Sequence, residues 1–148
     1  MKIGHGVDIV ELEGFKYQLE LPGSTFIGKV FTDLEISQSP KKIKTNKRYT
    51  ETLAGKWASK ESFIKAWSNL LIGIAPILSD NNWQEIEVLK DLYSRPYIKL
   101  SGFTKQKFEE QFPNSEISLS ISHDGNYAIA SVIIYCSKNS NSSSADLR

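Results

Sequence analysis

Two periodicities of apolar and polar positions divide the chain. Ile3, Val7, Ile9 and Val10 surround two glycines in 2–12, which reads as a short strand with Asp8 near its end. Residues 11–21 carry a weak helical pattern. Thr32, followed three residues later by Glu35, matches a capping box and predicts a short helix starting there. Between 48 and 71, Leu53, Trp57, Phe63, Ala66, Trp67 and Leu70 recur at three-to-four spacing, interrupted only by Gly55. This is the strongest helix in the chain. At about 1.5 Å per residue it would run roughly 36 Å, and its wide apolar face predicts burial against a sheet.

The second half changes period. Trp83, Ile86 and Val88 alternate through 83–89, and 96–100 is short and apolar. Ile117, Leu119 and Ile121 alternate through 116–121, and 127–135 is a continuous β-prone run, apolar at both parities. Residues 102–112 read as a helix with Phe103, Phe108 and Phe112 roughly on one side. Strands gathered after a long helix favour an α+β fold, with an antiparallel sheet packed around one long central helix. Residues 1–135 form one expected domain. Residues 136–148, rich in Ser and Asn with little apolar content, are expected to be disordered. Residues 39–47, with Pro40 and several lysines, read as an exposed loop, with Asn46 a cap for the long helix.

Composition narrows the class. At 148 residues, 40% hydrophobic and 24% charged, the chain has ordinary globular balance, and its net charge of +1 argues against binding nucleic acid through bulk charge. A lone cysteine, Cys136, makes neither an internal disulfide nor a cysteine metal site, which points to a reducing compartment. The first residues lack the apolar core of a signal peptide, and no stretch approaches a membrane span. A cytoplasmic protein is expected.

Several familiar sites are absent. There is no HExxH helix and no GxxxxGK[ST] loop; Gly4-His5-Gly6 is too short for a dinucleotide fingerprint, and Ser120-Ile121-Ser122-His123 lacks the glycines of a nucleophile elbow. What remains is carboxylates and cations. Asp8, in an apolar strand, is either a helix N-cap for 9–12 or a paired or metal-bound group. Glu61 and Lys65, four residues apart, share a helix face, either as a solvated ion pair or as part of a site. Two carboxylates from distant segments suit Mg²⁺ bridged to substrate phosphates, with a lysine neutralising charge. His123 precedes Asp124-Gly125-Asn126, a turn signature.

In combination these segments resemble a known family. Gly4-His5-Gly6-Val7-Asp8-Ile9-Val10-Glu11 is similar to the G-x-G-x-D-[IL]-x-E segment of the phosphopantetheinyl transferases of the holo-acyl-carrier-protein synthase type. Arg48 with Leu53 to Ala66 resembles their R-x(4)-L-A-x-R-[FW]-A-A-K-E-A-x-x-K-A helix. Arg95-Pro96-Tyr97-Ile98 resembles the G-[KR]-P-x-[IV] turn, and Ser118 to Asp124 with Tyr127-Ala128-Ile129-Ala130 the final S-[IL]-S-H-[TS]…Y-A-x-A strand pair. The matches fall in family order and span nearly all of 1–135.

The resemblance implies Mg²⁺-dependent transfer of 4′-phosphopantetheine from coenzyme A to a serine of an apo acyl carrier protein, releasing adenosine 3′,5′-bisphosphate. It implies Asp8 and Glu61 as metal ligands, and Asp8, Glu61 and Lys65 as the catalytic group. Lys56, Lys65, Pro96 and His123 would be coenzyme A contacts, in a homotrimer with sites between subunits. The chain departs from the pattern at Gly14, where an arginine is usual, at Lys56 and Ser59 for arginine and alanine, and at Ser94 for glycine. Gly14 supports an alternative, a weak paralogue that binds coenzyme A or a carrier protein without efficient transfer.

Overall fold

The computed structural model describes residues 1–42, 47–76, 78 and 80–137. The chain opens with strand β1 (Lys2–Glu11), followed by α1 (Leu12–Glu20), α2 (Phe26–Val30) and α3 (Asp33–Ser37). The long helix α4 (Arg48–Leu70) comes next, then the strands β2 (Ile86–Lys90) and β3 (Pro96–Leu100), helix α5 (Gly102–Gln111), and β4 (Ser115–Asp124) and β5 (Tyr127–Cys136). The α+β expectation holds, with two antiparallel sheets rather than one. β1, β5 and β4 form a three-stranded sheet in that order, and β2 and β3 form a separate hairpin.

α4 lies across the three-stranded sheet and buries most of its length. Phe63, Ala66, Trp67 and Leu70 join Ile86, Phe108, Val132 and Ile134 in one cluster. Leu53 and Ala54 join Leu12, Phe15, Val30, Phe31 and Ala128 in another. Each fully buried large side chain stabilises the fold by about 1.5–3 kcal/mol. The capping box forms as expected: Thr32 Oγ1 accepts from Glu35 N–H and Glu35 Oε1 accepts from Thr32 N–H.

Several expectations are corrected. Asp8 is not an N-cap; it lies inside β1, and α1 starts at Leu12. Trp83–Glu85 is a 3₁₀ turn, so the strand begins only at Ile86. Phe103 is exposed, while Phe108 and Phe112 are buried. Lys47 occupies the cap position of α4 and its side chain makes no cap bond; Asn46 lies outside the described residues. β5 takes in Cys136, which is buried, whereas most of the expected disordered tail, 138–148, lies outside the described residues.

Candidate active site

β1 alternates, placing Gly4, Gly6 and Asp8 inward toward α4. The two glycines set the distance between strand and helix. A Cβ on Gly4 would meet the Ala66 carbonyl oxygen at 2.5 Å, and one on Gly6 would collide with the Ser62 carbonyl. Without those side chains the helix backbone rests directly on the strand. Ser62 Oγ then donates to the Ala130 carbonyl at 2.9 Å, and Ala130 is the register partner of Asp8. Helix and sheet are thereby tied together at the level of Asp8.

This close approach brings Asp8, Glu61 and Lys65 together. Lys65 Nζ donates to Asp8 Oδ1 at 2.9 Å and to the Val7 carbonyl at 3.1 Å. Asp8 is buried, and among the described residues its Oδ2 has no hydrogen-bond partner. Burial, and then the neighbouring Asp8 carboxyl, push the Glu61 carboxyl up to about 8, against the opposing pull of Lys65. Two carboxyl groups therefore sit side by side in a largely buried position. This donor set fits a hard divalent cation, which would satisfy Asp8 Oδ2 and relieve the repulsion. Mg²⁺ characteristically takes one or two carboxylates and completes its shell with water and substrate phosphate. No cluster of three or more potential ligands exists among the described residues, so the protein alone does not build a closed cage.

The remaining sequence-identified residues sit elsewhere. Lys56 is buried on another face of α4, where its Nζ donates to the Glu35 carbonyl at 2.7 Å. Burial lowers its pKa to about 8, opposed by Glu35 and reinforced by Lys90 and Lys60. Lys90 is the strand partner of Pro96, which opens β3, so Lys56 and Pro96 belong to one neighbourhood. At the end of β4, His123 Nε2 donates to the Glu51 carbonyl at 2.8 Å, which leaves Nδ1 as the other ring position for a ligand. The ring lies over Gly55, where a Cβ would come within 3.0 Å of Nε2. Gly55 lies six residues before Glu61, about 9 Å along the helix axis, and no hydrogen bond among the described residues joins His123 to the carboxylates.

Sequence reasoning missed the support beneath both groups. Lys60 is fully buried and donates to Glu35 Oε1 at 2.7 Å, to the Trp83 carbonyl at 2.8 Å and to the Ile86 carbonyl at 2.7 Å. Glu35 Oε2 also accepts from Val88 N–H at 3.1 Å. The pair fastens α3 and the β2–β3 hairpin to α4. The capping box located Glu35, but nothing in the spacing paired it with a lysine 25 residues away.

The profile of the 4′-phosphopantetheinyl transferase superfamily matches residues 4–132, nearly the whole described chain. The chain belongs to that family. The holo-[acyl-carrier-protein] synthase of Corynebacterium glutamicum is 38% identical over 138 residues, covering 89% of this chain and 97% of that one. The solved Chronobacterium ammoniagenes ACPS-CoA complex superposes with a TM-score of 0.83 at 42% identity, covering 93% of this chain and all of its own. The Mycobacterium tuberculosis acyl carrier protein synthase superposes at 0.71 with 27% identity, over 92% of this chain and 100% of its own. Asp8, Glu61 and Lys65, which the sequence resemblance singles out, are the side chains that meet in the cluster described above.

Proposed function

We propose that this transferase moves 4′-phosphopantetheine from coenzyme A to a serine hydroxyl of an apo acyl carrier protein. The observation that carries the reading is the Asp8–Glu61–Lys65 cluster with its unpartnered carboxylate oxygen, in a chain of this family. The serine oxygen forms a bond to the β-phosphorus as the bond to the adenosine-side phosphate oxygen breaks, releasing adenosine 3′,5′-bisphosphate. Such phosphoryl transfer depends on positioning and charge neutralisation more than on covalent catalysis.

Asp8 and Glu61 are the residues that would hold Mg²⁺. When bound, the ion supplies Lewis-acid stabilisation of the pyrophosphate. Lys65, more than half exposed and anchored by Asp8, offers its ammonium to the phosphates. Glu61 is the residue assigned to accept the serine proton. Lys56, Pro96 and His123 are assigned to the nucleotide end of coenzyme A, and Lys56 would have to exchange its bond to the Glu35 carbonyl for a phosphate.

That no hydrogen bond among the described residues joins His123 to Asp8, Glu61 or Lys65 supports a site shared between subunits. So does the outer face of the three-stranded sheet, where Ile3, Val7, Ile9, Ile129, Ile133 and Tyr135 are all exposed. An apolar face of this extent suits an interface, and different donor and acceptor surfaces close as a ring. A homotrimer in the cytoplasm, serving lipid biosynthesis, is the assembly we infer. No helix among the described residues is long and apolar enough to cross a membrane.

Mass spectrometry of an apo carrier protein incubated with coenzyme A and Mg²⁺ tests the reading. The expected product has gained one phosphopantetheine, with stoichiometric adenosine 3′,5′-bisphosphate. An unmodified carrier, together with measurable coenzyme A binding, would favour the weak-paralogue alternative.

A further inference from the structure

Near Asp8 the long helix meets the sheet through its smallest side chains. Ala58, Ser59, Ser62 and Ala66 are fully buried on α4. Gly6 presents bare backbone to the Ser62 carbonyl and the Ala66 amide. The large aromatic side chains of this stretch are engaged with α5: Phe63 and Trp67 pack on Phe108 at ring-centroid distances of 5.5 and 5.4 Å. Burial of small groups brings helix and strand together. It is non-directional, however, and leaves the turn of the helix about its axis loosely set.

The directional contact at this level is the Ser62 hydroxyl, which donates to the Ala130 carbonyl at 2.9 Å. Ala130 is the register partner of Asp8, and Ser62 follows Glu61 in the chain. One hydrogen bond thus links the neighbour of each carboxyl group to the neighbour of the other. Successive helix positions point about 100° apart, so a Ser62 side chain held on β5 fixes the rotation at which Glu61 faces Asp8. We propose that Ser62 is a positioning residue: its hydroxyl bond to β5 sets Glu61 against Asp8 and thereby the affinity of the pair for a divalent cation. The inference rests on the reading that Asp8 and Glu61 hold Mg²⁺. Ser59 supplies an internal comparison. It is equally buried on the same helix, yet its hydroxyl donates to the Gly55 carbonyl at 2.7 Å, within α4 itself. That bond does nothing to place the helix on the sheet. Groups that orient a metal ligand by a direct hydrogen bond contribute about ten- to a hundredfold to affinity. Ser62 acts one step further away, through the helix backbone, so a smaller factor of about fivefold is expected.

The test titrates Mn²⁺, a paramagnetic stand-in for Mg²⁺, into the full chain with coenzyme A present. Free Mn²⁺ is read by electron paramagnetic resonance against a blank of coenzyme A alone. Ser62→Ala and Ser59→Ala each remove one buried hydroxyl. Alanine is the strongest helix former and fits within the volume of serine, so both variants fold, as a cooperative melt will show. Ser62→Ala should raise the Kd for Mn²⁺ at least about fivefold, and Ser59→Ala should leave it within about twofold. At saturating Mg²⁺, Ser62→Ala should also lower kcat about tenfold while KM for the carrier protein stays within about twofold, since a misplaced catalytic group costs rate rather than docking. A smaller rise in Kd for Ser62→Ala, or an equal rise for Ser59→Ala, overturns the positioning role and leaves the metal reading standing. Absence of Mn²⁺ binding by the unaltered enzyme overturns both.

Discussion

Asp8 and Glu61 act as a unit, because the neighbouring Asp8 raises the Glu61 carboxyl. Replacing either with alanine removes one of two candidate metal ligands without opening the core. Each variant should lose at least about a hundredfold in kcat/KM while keeping its circular dichroism and cooperative melt. Turnover near that of the unaltered enzyme at limiting Mg²⁺ would falsify the metal assignment. The same pair makes a pH prediction. The folded-state pKa of Glu61 is raised, from 4.5 to about 8, so the folded chain holds this proton more tightly than the unfolded chain does. The stabilisation from that proton is complete below about 4.5 and fades as pH rises toward 8. Without divalent cations, the Glu61-dependent part of Tm should therefore fall across that window. Glu61→Gln, which cannot ionise, should flatten it, and a pH profile of Tm unchanged by that substitution would contradict the coupling.

At the scale of elements, the packing of α4 explains what was legible in the sequence and what was not. Its apolar repeat made the helix readable, and the capping box made α3 readable, because both signals are local. The division into two sheets was not readable, since the alternation in 86–100 and 115–136 carries no mark of which strand edges pair. Asp8, Glu61 and Lys65 were readable as a family pattern, yet the cause of their meeting is the bare backbone of Gly4 and Gly6. Alternating glycines in a strand could have signalled that approach. The buried Glu35–Lys60 pair was invisible for a related reason, as its partners are distant in sequence. Removing one partner of such a pair leaves a buried charge, so Glu35→Gln should cost about 3–5 kcal/mol in chemical denaturation, with α3 and the hairpin loosening from α4. On α1, Gly14 is exposed, and a Cβ there meets nothing closer than Glu11 Oε2 at 3.9 Å, so Gly14→Arg fits without strain. It should lower KM for an acidic carrier protein several-fold at low salt, with the gain fading at high salt. A KM unchanged at low salt would place carrier docking on another surface.

For the whole molecule, the exposed apolar outer face of the three-stranded sheet is the feature that bears on assembly. Light scattering at micromolar concentration should give about three times 16.7 kDa. Ile9 and Ile129 are register partners on the outer face, 60% and 40% exposed, so Ile9→Lys with Ile129→Lys should yield folded monomers with little transfer activity. A fully active monomer would require His123 to act within its own chain. The Glu35–Lys60 fastening has a consequence for the chemistry of the surface. Lys56 and Lys60, at 2% and 0% exposure, keep their amines out of solvent, each held by a residue from another segment. An amine-reactive reagent applied to the native protein should therefore modify exposed lysines such as Lys16, Lys29 and Lys105 and spare these two. The time at which Lys60 becomes labelled during unfolding then marks the moment when α3 and the hairpin leave the long helix, a folding clock written into covalent reactivity.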